Sequence, residues 1–284
     1  MRTIIAAVYY AVIAAIGVIA AGIAARPAGQ RLEPEDLLRG AAVLAVAVLV
    51  ATLGAAAVER RSVSTYGLTL QPSSRPFLIG AVAACVILSA FALILVAEHL
   101  FIVQGRLLDN GSALRSGTML LATFGLRAFA IEVAVHGYAL SFARRTLSTP
   151  VALVLTAIAF GFGAVVAPEV TPSAVIILCM AGFCLGTIAL SSGTTWYGIG
   201  FLTTWMWEER FVLGSPPNYA VAHARFVNSV LSNNDFATGG TLGFEASAWM
   251  LLPASVGVVA ALVHLTLARE AKAKERAISR ANSM

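Results

Sequence analysis

Charge is what this chain has least of. Only 12% of its 284 residues are Asp, Glu, Lys or Arg, where a soluble domain carries about a quarter. That shortage excludes an ordinary water-soluble fold. Cysteine is scarce as well: Cys85, Cys179 and Cys184 show no C-x2-C spacing, so they supply no structural metal site and read as small apolar packing residues. There is no basic stripe with interleaved aromatics, which excludes nucleic acid as a partner. Nor is there an internal repeat, which speaks against an inverted-repeat transporter.

What the chain does have is long apolar runs; 59% of it is hydrophobic. A spanning helix needs about 20 mostly apolar residues, because the hydrocarbon core is ~30 Å thick and each helical residue rises ~1.5 Å. Eight windows meet or approach that length: 4–25, 37–58, 77–97, 116–142, 151–167, 174–190, 197–212 and 247–268. The fifth and seventh sit at the lower limit. The first is too long for the h-region of a signal peptide and reads as a retained helix. The expectation is an all-α, polytopic integral membrane bundle of about eight transmembrane helices, with residues 1–284 forming one domain.

Loop charge sets an expected orientation. With the N-terminus inside, eleven Lys and Arg fall on the inner side and seven on the outer, with Arg127 left inside a span. The bias favours both termini in the cytoplasm of a cell with the protein in its plasma membrane. Much of it comes from the basic tail, 269–284, which reads as a solvated flank and is also placed to touch anionic lipid headgroups. Most connections are short. The exception is 207–246, an expected outer loop with Pro216-Pro217 and Gly239-Gly240 turns. Its apolar content argues against disorder, a short helix is expected at Tyr219–Ser232, and Glu245 is expected at the start of the last helix.

The polar residues at depth are few. Glu132 and His136 lie one helical turn apart within the fourth window, and therefore on one face, with Gly125, Phe129 and Leu140. Arg127 is expected off that face and nearer the membrane surface. An ionisable group in a span costs roughly 2.5–3.5 kcal/mol on insertion scales, so such a pair marks a candidate site. A catalytic zinc wants three protein ligands. His99 and His223 fall in loops and His264 near the end of the last span, so neither a metal nor another cofactor is expected. Trp196, Tyr197, Phe201, Trp205 and Trp207 form a second feature, read either as an interfacial aromatic belt or as a binding surface.

The segment Ile131-Glu132-Val133-Ala134-Val135-His136-Gly137-Tyr138 resembles the E-E-x-x-x-R-G-Y motif of the CPBP family, the intramembrane CAAX proteases and bacteriocin-processing proteins. Thr149-Pro150 followed by Ala157–Phe162 is similar to that family's second motif helix, F-x-x-x-H. Gly193–Gly200 is similar to the approach to its third motif, H-x-x-x-N, and Thr238–Ser247 to the loop entering the last span of bacterial members. The resemblance runs from about Arg60 to Leu267 and implies a CAAX-protease-like helical bundle.

In that family a glutamate and a histidine activate water, and a histidine and asparagine hold the oxyanion. Carried onto this chain, the first glutamate falls on Ile131 and the motif arginine on His136. The second-motif histidine falls on Ala164, or on Val166 when counted from Phe162. The third-motif pair falls on Leu202 and Met206, and only Glu132 is retained. Losing one oxyanion donor alone costs 10²–10³ in rate, and losing the base costs further orders of magnitude. The resemblance therefore implies a pseudoprotease, a binding or scaffold subunit for another membrane protein or complex, or for lipid. Candidate contacts are Glu132, His136, Trp196, Phe201 and Trp205. An active CAAX-type endopeptidase with a rearranged site, in which Glu208 or Glu209 would join Glu132 and His136, is one alternative; a small transporter or channel is another.

Overall fold

A computed structural model describes residues 2–27, 31–69, 74–163, 171–215 and 222–281. Eight principal helices follow in order: α1 (Arg2–Ala24), α2 (Pro34–Glu59), α3 (Ser74–Ala97), α4 (Asn110–Ala143), α5 (Thr149–Phe162), α6 (Pro172–Ser192), α7 (Trp196–Trp207) and α8 (Leu251–Ala281). Among the described residues, six apolar helices are long enough to cross a membrane. The molecule is thus a multi-pass, all-α membrane bundle. The fifth and seventh windows are the short ones: α5 has 14 residues, or about 21 Å, and α7 has 12 before it continues as a π-helical segment through Val212.

Local signals set several ends. Glu33 and Asp36 form a capping box at α2 with Pro34 in the first turn. Asp109 caps α4, accepting hydrogen bonds from the Ser112 backbone and hydroxyl, which hold its carboxyl below the usual carboxylate range. α8 does not stop at the end of the apolar run; it carries on through the basic tail to Ala281.

The helices pack in a sequence of neighbours, α1 on α2, α2 on α4, α4 on α7 and α7 on α3; α5 packs on α6, and α6 on α8 and α7. The α3–α7 crossing is the closest kind, because Gly80 lies against the Tyr197 carbonyl and Gly200 against that of Phe77, with no room for a Cβ at either. The outward faces stay apolar: Ile4, Val8, Ile16, Leu78, Val82, Leu93, Val256 and Val259 are exposed, as a lipid-facing surface requires and a soluble surface forbids.

Two connections differ from the sequence expectation. Within the expected short helix at 219–232, Val227–Leu231 is a strand, β2, paired antiparallel with β1 (Phe101–Arg106); Tyr219 itself lies outside the described residues. The backbone hydrogen bonds of both segments are satisfied across the ladder rather than within a helix. Glu245 sits in a 3₁₀ turn, Phe244–Ala246, several residues before α8 begins. This turn plugs one end of the bundle: Phe244 is fully buried, edge-on to Phe91 of α3 and Phe101 of β1 at 5.3 and 5.9 Å. At the other end, which also holds the C-terminus of α2, Tyr66 donates to Glu59 at 2.7 Å, and Arg145 pairs with the same carboxylate. Burial, and then the Glu59 carboxylate, push the Tyr66 hydroxyl above its usual range.

Candidate functional site

Glu132 is the last α-helical residue of α4 before seven residues, Val133–Ala139, wind as a π-helix. Such wide turns are rare and recur at functional sites. The pair forms as its spacing requires: His136 Nδ1 stands 3.0 Å from both carboxylate oxygens of Glu132, and both side chains are shut away from solvent. With the Nδ1 proton donated to the carboxylate, Nε2 is the nitrogen left over; it is buried and has no hydrogen-bond partner among the described residues.

Four helices meet at this pair. Gly198 of α7 lies so close that a Cβ there would stand 2.2 Å from Glu132 Oε2. On α6, a Cβ at Gly186 would stand 3.5 Å from His136 Nε2. The His136 ring stacks on Phe160 of α5 at 5.5 Å. Behind the π-helical segment, Gly137 admits the carbonyl of Tyr66, which would be 2.6 Å from a Cβ. The pair is thus held by small residues on one side and a ring on the other.

The remaining motif positions are apolar. Ile131 is half-buried beside Glu132. Leu202 and Met206 follow Gly198 at i+4 and i+8 on the same face of α7, packed with Leu120, Phe124 and Ala128 of α4. Ala164 and Val166 lie outside the described residues. Among the described residues, no group of three His, Cys, Asp or Glu is placed to hold a metal ion. His99 sits in a tight left-handed turn, His223 on Glu33 at 3.0 Å and His264 along α8, each away from the pair.

The aromatic residues divide into two groups. Phe201 and Trp205 stack at 5.7 Å, and Trp205 leans on the core around Leu88, Phe91 and Phe244. Trp196 is on the other side of α7, 6.5 Å from Phe129 and with its indole N–H donated to the Thr69 carbonyl at 3.4 Å. They do not form one surface.

Sequence reasoning missed a second polar cluster. Glu208 and Glu209 do not join Glu132. Ser89 of α3 donates to Glu208 Oε1, and the Phe244 N–H to Glu209 Oε1, both at 2.6 Å. Arg210 reaches Glu245 at 3.5 Å and lies over the Phe124 ring at 5.6 Å. The available signal was the run Glu208-Glu209-Arg210 at the end of an aromatic helix. It reads as a solvated loop until the π-helical extension and the returning plug bury it.

No family model, curated protein or solved structure matches this chain.

Proposed function

We propose that this is a catalytically degenerate, CAAX-protease-like member of the CPBP family. In this reading it is a plasma-membrane protein with both termini in the cytoplasm, acting as a binding or scaffold subunit for another membrane protein. One observation carries this reading: Glu132 is paired with His136 Nδ1 in a closed site, while the neighbouring motif positions Ile131, Leu202 and Met206 present only aliphatic and thioether groups. Such side chains neither move a proton nor donate to an oxyanion. The pair then works as an internal tie where α4, α5, α6 and α7 converge.

The test is cleavage of a CAAX-type peptide by the full chain in lipid nanodiscs, comparing the wild type with Glu132→Gln. The expected result is equal background turnover in both, with one membrane protein co-purifying at fixed stoichiometry after gentle solubilisation. Turnover above empty discs that disappears in Glu132→Gln would overturn the proposal. It would favour a second reading, a hydrolase with a rearranged site, for which the supporting observation is that His136 Nε2 has no partner among the described residues. Zinc content is expected to stay well below one per chain and to be indifferent to Glu132→Gln.

A further inference from the structure

Arg127 lies midway along α4, far from either helix end: α4 runs from Asn110 to Ala143 over 34 residues, about 51 Å. Its surroundings are unusual. Within one or two turns on the same side of α4, Leu120, Thr123, Phe124 and Ala130 are buried and Ile131 is half-buried, yet Arg127 itself is exposed. The side of α4 that faces outward near its start, with Leu114, Thr118 and Leu121 exposed, points elsewhere. Thr118 is directly opposite Arg127 at 100° per residue. Ala130 packs with Val48 of α2, and Leu120 and Phe124 pack with Ile199, Met206 and Phe211 of α7. Arg127 therefore stands at the seam between α2 and α7.

Arg39, Arg115 and Arg210 are paired with the carboxylates of Asp36, Glu35 and Glu245, and Arg106 and Arg225 donate to Asn110 and Asn228. Among the described residues Arg127 has no hydrogen-bond or ion-pair partner. A second cation stands close, because the Arg210 guanidinium lies 5.6 Å from the centroid of Phe124, one turn from Arg127. An unmatched arginine at mid-depth is costly, and a planar guanidinium is matched best by a carboxylate or phosphate taken in two parallel hydrogen bonds. The outward faces of the bundle around this seam are apolar, which suits a ligand that joins an anionic head to a hydrocarbon chain.

We propose that the seam between α2, α4 and α7 is a binding site for a phosphate-bearing anion, with Arg127 as its main contact and Arg210 as supporting positive charge. This site is separate from the Glu132–His136 pair and does not depend on whether that pair is catalytic. The shared chemistry is the phosphate, and it has two sources, a lipid headgroup or a free anion.

The test uses the full-length protein in a neutral detergent, read by native mass spectrometry and thermal shift. The probes are phosphatidylglycerol, diacylglycerol of the same chain length, and inorganic phosphate. Wild type is expected to bind phosphatidylglycerol at least tenfold more tightly than diacylglycerol; competition by millimolar phosphate would identify a free anion as an equal ligand, and its absence a lipid site. Arg127→Gln is expected to lose at least tenfold in affinity, Arg127→Lys to keep part of the binding while eluting as a folded protein, and Arg115→Gln to match wild type. Affinity of Arg127→Gln within twofold of wild type would overturn the proposal. So would wild-type protein that does not distinguish phosphatidylglycerol from diacylglycerol and ignores phosphate.

Discussion

At Gly198 the lack of a side chain lets α7 close directly on the carboxyl group of Glu132. The carboxyl has no space to retreat, since His136 Nδ1 holds both of its oxygens. Gly198→Ala is therefore expected to push the carboxyl off its imidazole partner and destabilise the bundle by about 1–3 kcal/mol, the usual cost of overpacking. Thermal unfolding in detergent checks this, and an unchanged midpoint would mean that the pair is not tightly held. The i, i+4 spacing of Glu132 and His136 was legible in the sequence, because helical geometry alone places such residues side by side. The identity of what surrounds them was not. Gly186, Gly198 and Phe160 come from three other helices, and no local pattern marks them as neighbours.

Among the elements, the plug formed by Phe244–Ala246 and the β1–β2 ladder was the part least visible beforehand. Its strands are short and pair across the chain, Phe101 with Leu231 and Arg106 with Val227, so neither segment shows its partner locally. Once formed, the ladder brings Phe101 and Phe244 together over α3 and gives Glu209 a backbone donor at Phe244. Phe244→Ala removes a fully buried ring at this junction and is expected to cost about 3–5 kcal/mol. The first symptom should be protease cleavage between Ser232 and Met250 while the helices remain intact; cleavage no faster than in wild type would show that the plug is held by other contacts. The helices α2 and α6 start at Pro34 and Pro172, a little before the apolar windows 37–58 and 174–190, because the capping residues and first turns are not themselves apolar. The seventh window, 197–212, already covered Glu208–Val212; that this stretch is π-helical and buries Glu208 and Glu209 was not visible in it.

For the molecule as a whole, the count of crossings turns on α5 and α7. Six long helices cross if neither short one does, and eight if both do. Either number is even, so the N- and C-termini are expected on the same side. Labelling of single cysteines placed near each terminus, in intact cells and after permeabilisation, checks this. Opposite sides would require that only one of the two short helices crosses. Membrane residence, helical class and the placement of the long spans were already settled by run length and charge scarcity, because the free energy of placing apolar surface in lipid is summed locally along the chain. Which side chains meet depended on packing between distant segments. Glu132 and His136 were joined by helix geometry. The separation of Glu208 and Glu209 from them, the splitting of the aromatic residues and the place of Arg127 at the seam were decided only when α2, α4 and α7 came together. Burial and pairing are properties of a residue's neighbours in space, and these neighbours lie far apart in the chain.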